Sequence, residues 1–351
     1  MPSLAMRLAL TCLAASTVLA SPAVQAASPK LETTDVMIPS GDAGIQLFVR
    51  NKHPAGMKKF SSDRILLFVH GATYPAETAF DLPIEGVSMM DLIAQRGFDA
   101  YLVDVRGYGR STRPPEMSQP PEANRPIVST QVAAHDLGVA VDYILKKRNV
   151  SKIDVMGWSW GTSITGLYTS EHNAKVGRLV LYAPQWVRAE PPAADLPPLG
   201  AYRLVSMESA RERWLKGVPA DKQADLIPPG VFEAWAKATW ATDPEALQHS
   251  PPMLRASNGV TEDSRNYWSA GKPLYDPGKI TVPVLILHAE WDADLPSYLA
   301  QNYFKQLKNT PYKRMIELSE GTHTVMMEKN RMQFFHELVG FLDEEKPLAL
   351  K

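Results

Sequence analysis

A repeated pairing limits what this chain can fold into: a short, nearly unbroken apolar run, then a segment of helical period. A strand that is apolar at every position must be covered on both faces, which happens inside a parallel sheet flanked by helices. "RILLFVH" (64–70) is such a strand, followed by the amphipathic "EGVSMMDLIAQRG" (85–97). "DAYLVDV" (99–105) comes next, then a longer helical pattern over 129–149 with Ser129 or Thr130 as its cap. "KIDVMG" (152–157), "RLVLYAP" (178–184), "VPVLILHAE" (282–290) and "YKRMIELS" (312–319) read as further strands, and 331–344 as a closing helix. "TTDVMIP" and "IQLFVR" read as an antiparallel hairpin at the sheet edge. The pattern predicts an α/β chain with a mostly parallel central sheet and helices on both faces.

The rhythm breaks over residues 187–278, which open with "AEPPAADLPPLG" and contain Trp214, Trp235, Trp240 and Trp268. A segment this long between two core strands is expected to fold as a helical cap over one end of the sheet. A second proline cluster, "RPPEMSQPPEANRP" (113–126), reads as a stiff loop at the same end. At the N-terminus, Arg7, the apolar run 8–20 and the small-residue site "VQA" (24–26) read as a signal peptide cleaved after Ala26. The run of apolar residues is too short to span a bilayer, which takes about 20. The organisation expected is therefore residues 1–26 as signal peptide, 27–186 and 279–351 as core, and 187–278 as cap. The destination is the periplasm or the medium. Cleavage would also remove Cys12, the only cysteine, and with it any disulfide or thiolate chemistry.

The formal net charge is −1, with no long run of like charge, so nucleic acid is not an expected partner. The 8 histidines show neither H-x-H nor H-E-x-x-H spacing, and no metal or cofactor is expected. A small molecule is the expected partner, with no stable membrane insertion of the mature chain.

Chemistry concentrates at "GWSWG" (157–161), which matches G-x-S-x-G after one strand and before the helical "TSITGLYTS". So tight a turn tolerates little but glycine beside it and lifts the hydroxyl of Ser159 above the sheet. The following helix N-terminus directs free N–H groups and its dipole at charge developing there. A serine hydroxyl is a weak nucleophile until a base takes its proton, and the base needs an orienting acid. His323, in the small-residue loop "SEGTHTVM", is the expected base, whereas His336 lies inside an apolar helix and reads as structural. "AEWDADLP" offers Glu290, Asp292 and Asp294 as acid; Asp292 is preferred, with Asp294 as fallback, and Glu190 lies too far into the cap. The N–H groups of Trp160 and Ala72 are expected to receive the oxyanion. Tyr74, Trp158, Gln185 and Trp186 are expected to border the substrate pocket.

"FVHGATYP", "DVRGYGRS", "GWSWGTS", "LHAEWDADLP" and "GTHTVM", in that order, resemble an α/β-hydrolase with a helical cap over essentially the whole mature chain. The resemblance implies a serine hydrolase with a Ser-His-Asp triad, esterase-like, and makes Asp104–Ser111 a structural turn beside the pocket. Dehalogenases and epoxide hydrolases of this kind carry aspartate as nucleophile, whereas Ser159 implies acyl transfer. The elbow is also similar to that of proline iminopeptidases, but those enzymes usually show "HGGPG" where this chain has "HGAT". Carbon–carbon bond hydrolases share the triad and stay open as an alternative. A small-ligand binding protein without turnover is the non-enzymatic one. Oligomeric state is not legible in the residues.

Overall fold

The computed structural model describes residues 29–190 and 196–344, so the expected signal peptide lies outside the described residues. Strands β1 (Leu31–Pro39) and β2 (Gln46–Pro54) form the expected edge hairpin. They are followed by β3 (Ile65–Val69), β4 (Asp99–Val103), β5 (Ile153–Trp158) and β6 (Val176–Tyr182). A two-stranded sheet, β7 (Tyr202–Ser206) with β8 (Met253–Ser257), lies within the insertion, and β9 (Val284–Ala289) and β10 (Lys313–Leu318) return to the main sheet. The 8-stranded order is β1-β2-β4-β3-β5-β6-β9-β10. All neighbours from β4 onward are parallel, and β2 joins β4 antiparallel. Every residue of β3, β4, β5 and β9 is buried, as strands covered on both faces require.

The helices are α1 (Ala76–Phe80), α2 (Met89–Gln95), α3 (Thr130–Arg148), α4 (Trp160–Glu171), α5 (Met207–Trp214), α6 (Gln223–Leu226), α7 (Val231–Trp240), α8 (Gly259–Asp263), α9 (Ser297–Gln306) and α10 (Arg331–Asp343). α2 starts later than the apolar pattern suggested. Gly86 turns the chain at φ 85°, and Ser88 then makes a reciprocal capping box with Asp91. Ser129, not Thr130, caps α3 by accepting from the Val132 N–H at 3.3 Å. α3 packs on α4, and α2 on α10.

Between β6 and β9 the chain leaves the sheet, and Ala210, Arg213, Trp214 and Trp235 of this insertion come to lie beside the residues that follow β3 and end β5. The insertion is not purely helical as expected, because β7 and β8 pair antiparallel within it. Its core is aromatic: Trp235 lies edge-on to Trp214 at 5.1 Å and to Tyr74 of the main domain at 4.6 Å. Part of the proline-rich loop docks here too, with Pro121 accepting from the Ala201 N–H at 2.8 Å. No helix among the described residues is long and apolar enough to cross a membrane.

Candidate active site

Ser159 sits at the point where β5 becomes α4, with φ 58° and ψ −121°. This left-handed conformation is costly for a residue with a side chain and persists only where its surroundings enforce it. They do so through backbone crowding. A Cβ on Gly157 would lie 2.2 Å from the Gly161 carbonyl oxygen, and one on Gly161 would lie 2.5 Å from that of Val69. The Ser159 N–H donates to the Tyr182 carbonyl at 2.9 Å, tying the turn to β6. Ser159 is the residue preceding α4, so the unsatisfied N–H groups of that helix open beside its hydroxyl.

Ser159 and His323 line one cavity together with Gly71–Tyr74, Trp158 and Thr324. From the insertion come Ala210, Arg213, Trp214 and Trp235, and from the loop after β9 comes Asp294. His323 Nδ1 is 2.8 Å from Asp292 Oδ2. The other carboxylate oxygen of Asp292 accepts from the N–H groups of Asp294 and Leu295, each at 3.0 Å. Burial alone would raise the Asp292 pKa, but the charge and hydrogen bond of His323 and the Leu295 N–H together hold it below its ordinary value. Asp292 therefore stays ionised although only 4% exposed. Among the described residues no hydrogen bond joins Ser159 Oγ to His323; the two share the cavity wall.

His70 explains how the loop after β3 is held. Its Nδ1 is 2.7 Å from the Gly71 carbonyl, and its Nε2 accepts from the Val105 N–H at 3.2 Å. Those partners require the neutral tautomer with the proton on Nδ1, and burial pushes the pKa of His70 down to about 4. The Gly71 carbonyl and the Ala72 N–H belong to one rigid peptide unit, so fixing one aims the other. Among the described residues neither the Ala72 nor the Trp160 N–H is engaged by another protein group.

Trp158 lines the cavity and also donates from Nε1 to the His323 carbonyl at 2.8 Å. The ring of Trp160 turns away from the cavity and donates to Thr130 Oγ1 at 2.8 Å. Gln185 and Trp186 do not line the cavity, contrary to expectation. The Gln185 N–H is drawn to Thr162 Oγ1 at 3.1 Å, and Trp186 packs edge-on against Tyr303 at 4.9 Å. Asp294, the fallback acid, pairs with Arg213, and no hydrogen bond ties it to His323. Ala210, Arg213, Trp214 and Trp235 were not among the residues expected at the pocket. Only their helical spacing was visible, and spacing does not say which residue faces inward. The segment Asp104–Ser111 is structural as the resemblance implied: the Asp104 carboxylate accepts from the N–H groups of Ala76 at 2.7 Å and Arg110 at 3.1 Å.

With this geometry in hand, the sequence matches the family model described as the alpha/beta hydrolase fold over residues 64–330. The chain belongs to the alpha/beta hydrolase family. Among solved structures, this hydrolase-family chain is similar to a 2-hydroxy-6-oxo-6-phenylhexa-2,4-dienoate hydrolase from Rhodococcus sp. strain RHA1 at 18% identity and TM-score 0.57, covering 89% of this chain and 99% of that one. It is also similar to a thermophilic esterase from Thermogutta terrifontis at 14% identity and TM-score 0.55, covering 89% and 100%. At such identities the likeness is one of fold. No curated protein sequence matches the chain.

Proposed function

We propose that the protein is an exported serine hydrolase that cleaves carboxylic esters through an acyl-enzyme. One observation carries the reading: the strained Ser159 turn and the His323–Asp292 pair, 2.8 Å apart, meet at a single cavity. With its Nδ1 proton held by Asp292, His323 presents the lone pair of Nε2 and takes the Ser159 proton as Oγ bonds to the ester carbonyl carbon. The carbonyl oxygen becomes an oxyanion received by the N–H groups of Trp160 and Ala72. As the carbon–oxygen bond to the alcohol breaks, Nε2 returns the proton to the departing alkoxide. Water then repeats the sequence, losing its proton to Nε2 as it attacks the acyl carbonyl, and Ser159 leaves reprotonated beside the free acid.

The cap lies over the site, and the cavity wall formed by Tyr74 and Trp158 of the core with Trp214 and Trp235 of the cap favours an apolar acyl or alcohol group. An iminopeptidase would need a free cap acid to hold a substrate amine. Glu208 and Glu212 are exposed, Glu233 pairs with Arg211, and Asp294 is committed to Arg213, which favours the ester reading. Export is proposed on the N-terminal segment alone, and the mass of the protein recovered from the periplasm would reveal cleavage after Ala26. A fluorophosphonate probe is expected to label the mature protein at Ser159. Absence of labelling, together with tight ligand binding and no burst from a p-nitrophenyl ester, would instead make the protein a binding module.

A further inference from the structure

Besides Ser159 and the Trp160 N–H at the end of β5, the groups of the proposed reaction sit on three separate loops, which follow β3, β9 and β10. We propose that one stretch of the cap, Arg203 to Trp214, holds all three loops in place, so that the cap positions the reacting groups as well as covering the substrate. The inference rests on the roles given above to Ser159, Asp292 and His323.

Each loop has its own arm from the cap. On β7, Arg203 Nη2 donates to the Ala72 carbonyl at 2.9 Å and to Thr73 Oγ1 at 3.0 Å, while Nη1 donates to the Ser257 carbonyl on β8 at 2.6 Å. Tyr108 gives the Ala72 carbonyl a second donor at 2.8 Å, and its hydroxyl also meets Ser257 Oγ at 2.8 Å. The oxyanion loop is thereby gripped by the small cap sheet. On α5, Arg213 pairs with Asp294, whose own N–H donates to Asp292 Oδ1 at 3.0 Å. Just beyond α5, Gly217 at φ 90° presses so close to Trp291 that a Cβ there would lie 2.4 Å from the Trp291 carbonyl oxygen. The neighbouring Trp214 donates from Nε1 to Glu328 at 2.9 Å. That fully buried carboxylate in turn accepts from the Thr322 N–H at 3.0 Å and from the hydroxyls of Thr322 and Thr324 (the latter at 3.0 Å), on either side of His323.

Arg203, Arg213 and Trp214 are thus positioning residues, each acting through another group. Displacing a reacting group by about 1 Å can cost about 10²-fold in rate, so loosening any arm should slow the serine itself. A lid that only covers substrate would behave in the opposite way when loosened. The test is the second-order rate of Ser159 phosphorylation by diisopropyl fluorophosphate, a reagent small enough to need few cap contacts, in the full mature chain. Arg203→Met, Arg213→Met and Trp214→Phe are each expected to react roughly 10- to 100-fold more slowly than wild type while melting cooperatively. Variants that react at the wild-type rate or faster would overturn the proposal. Arg203→Lys keeps the charge but lacks the fork, so it carries the same comparison should Arg203→Met fail to fold. An unreactive wild type would overturn the serine hydrolase reading itself, an outcome distinct from the other two.

Discussion

The indole Nε1 of Trp158 donates to the main-chain carbonyl of His323 at 2.8 Å, and the two rings lie 5.5 Å apart. One residue of the serine turn therefore braces the loop that carries the imidazole. The second aromatic residue beside Ser159 serves a different end, since the Trp160 ring anchors α4 to α3 through Thr130. The alternation of glycine and tryptophan around one serine thus combines two demands. Backbone crowding at 157 and 161 excludes side chains, and the neighbouring rings fix the turn against separate parts of the core.

Asp292→Asn should lower kcat for a p-nitrophenyl ester by on the order of 10³- to 10⁴-fold with a near-normal melting profile. An amide at this position no longer favours the Nδ1-protonated tautomer of His323 or stabilises its imidazolium. Steady-state kinetics check this, and a loss below tenfold would move the orienting role to another acid.

Gly161→Ala should give little soluble, folded protein. The added methyl would meet the Val69 carbonyl oxygen at 2.5 Å and that of His70 at 2.7 Å, both backbone atoms at the end of β3. A cost of several kcal/mol is the order expected for overpacking with strain, to be read from urea midpoints of any soluble fraction. Gly340→Ala, where no atom lies within 4 Å of the added carbon, is the matched control.

His70 ties pH to stability. Its pKa falls from 6.5 in the unfolded chain to about 4 in the fold, so the unfolded state binds the extra proton first. Its contribution is fully present above pH 6.5 and is lost as pH falls towards about 4, amounting to about 3 kcal/mol by linkage. Urea midpoints of wild type and His70→Gln should therefore converge as pH drops through that window. Parallel curves would contradict the neutral buried imidazole.

Trp235→Leu should shift ester preference towards longer or bulkier acyl groups. The indole is fully buried, forms part of the cavity wall and packs on Tyr74 and Trp214, so shortening it opens space beside Ser159. A chain-length series of p-nitrophenyl esters reads the change. An unchanged profile would place the acyl group on another wall.

Much of the fold was legible in the residues because its determinants are local. Apolar runs such as Ile65–Val69 and Val284–Ala289 have no polar face to offer solvent, so they become central strands. The turn at Ser159 was visible for the same reason, since glycine at 157 and 161 is dictated by atoms only a few bonds or one strand away. Asp292 and His323 were singled out by their loops, but that they meet at 2.8 Å depends on β9 and β10 being neighbours in the sheet. The remainder was decided by tertiary packing. Nothing in "MESARERWLKG" says that Ala210 and Trp214 are buried while Arg211 and Glu212 face water, because a single helix permits either rotation until a partner surface selects one. Gln185 and Trp186 lie off the cavity on the same ground: the Gln185 backbone is held by Thr162 and the Trp186 ring packs on Tyr303, neither of them a sequence neighbour. Local periodicity determines which elements form, but the side chains that surround a cavity are chosen by the other elements that close it.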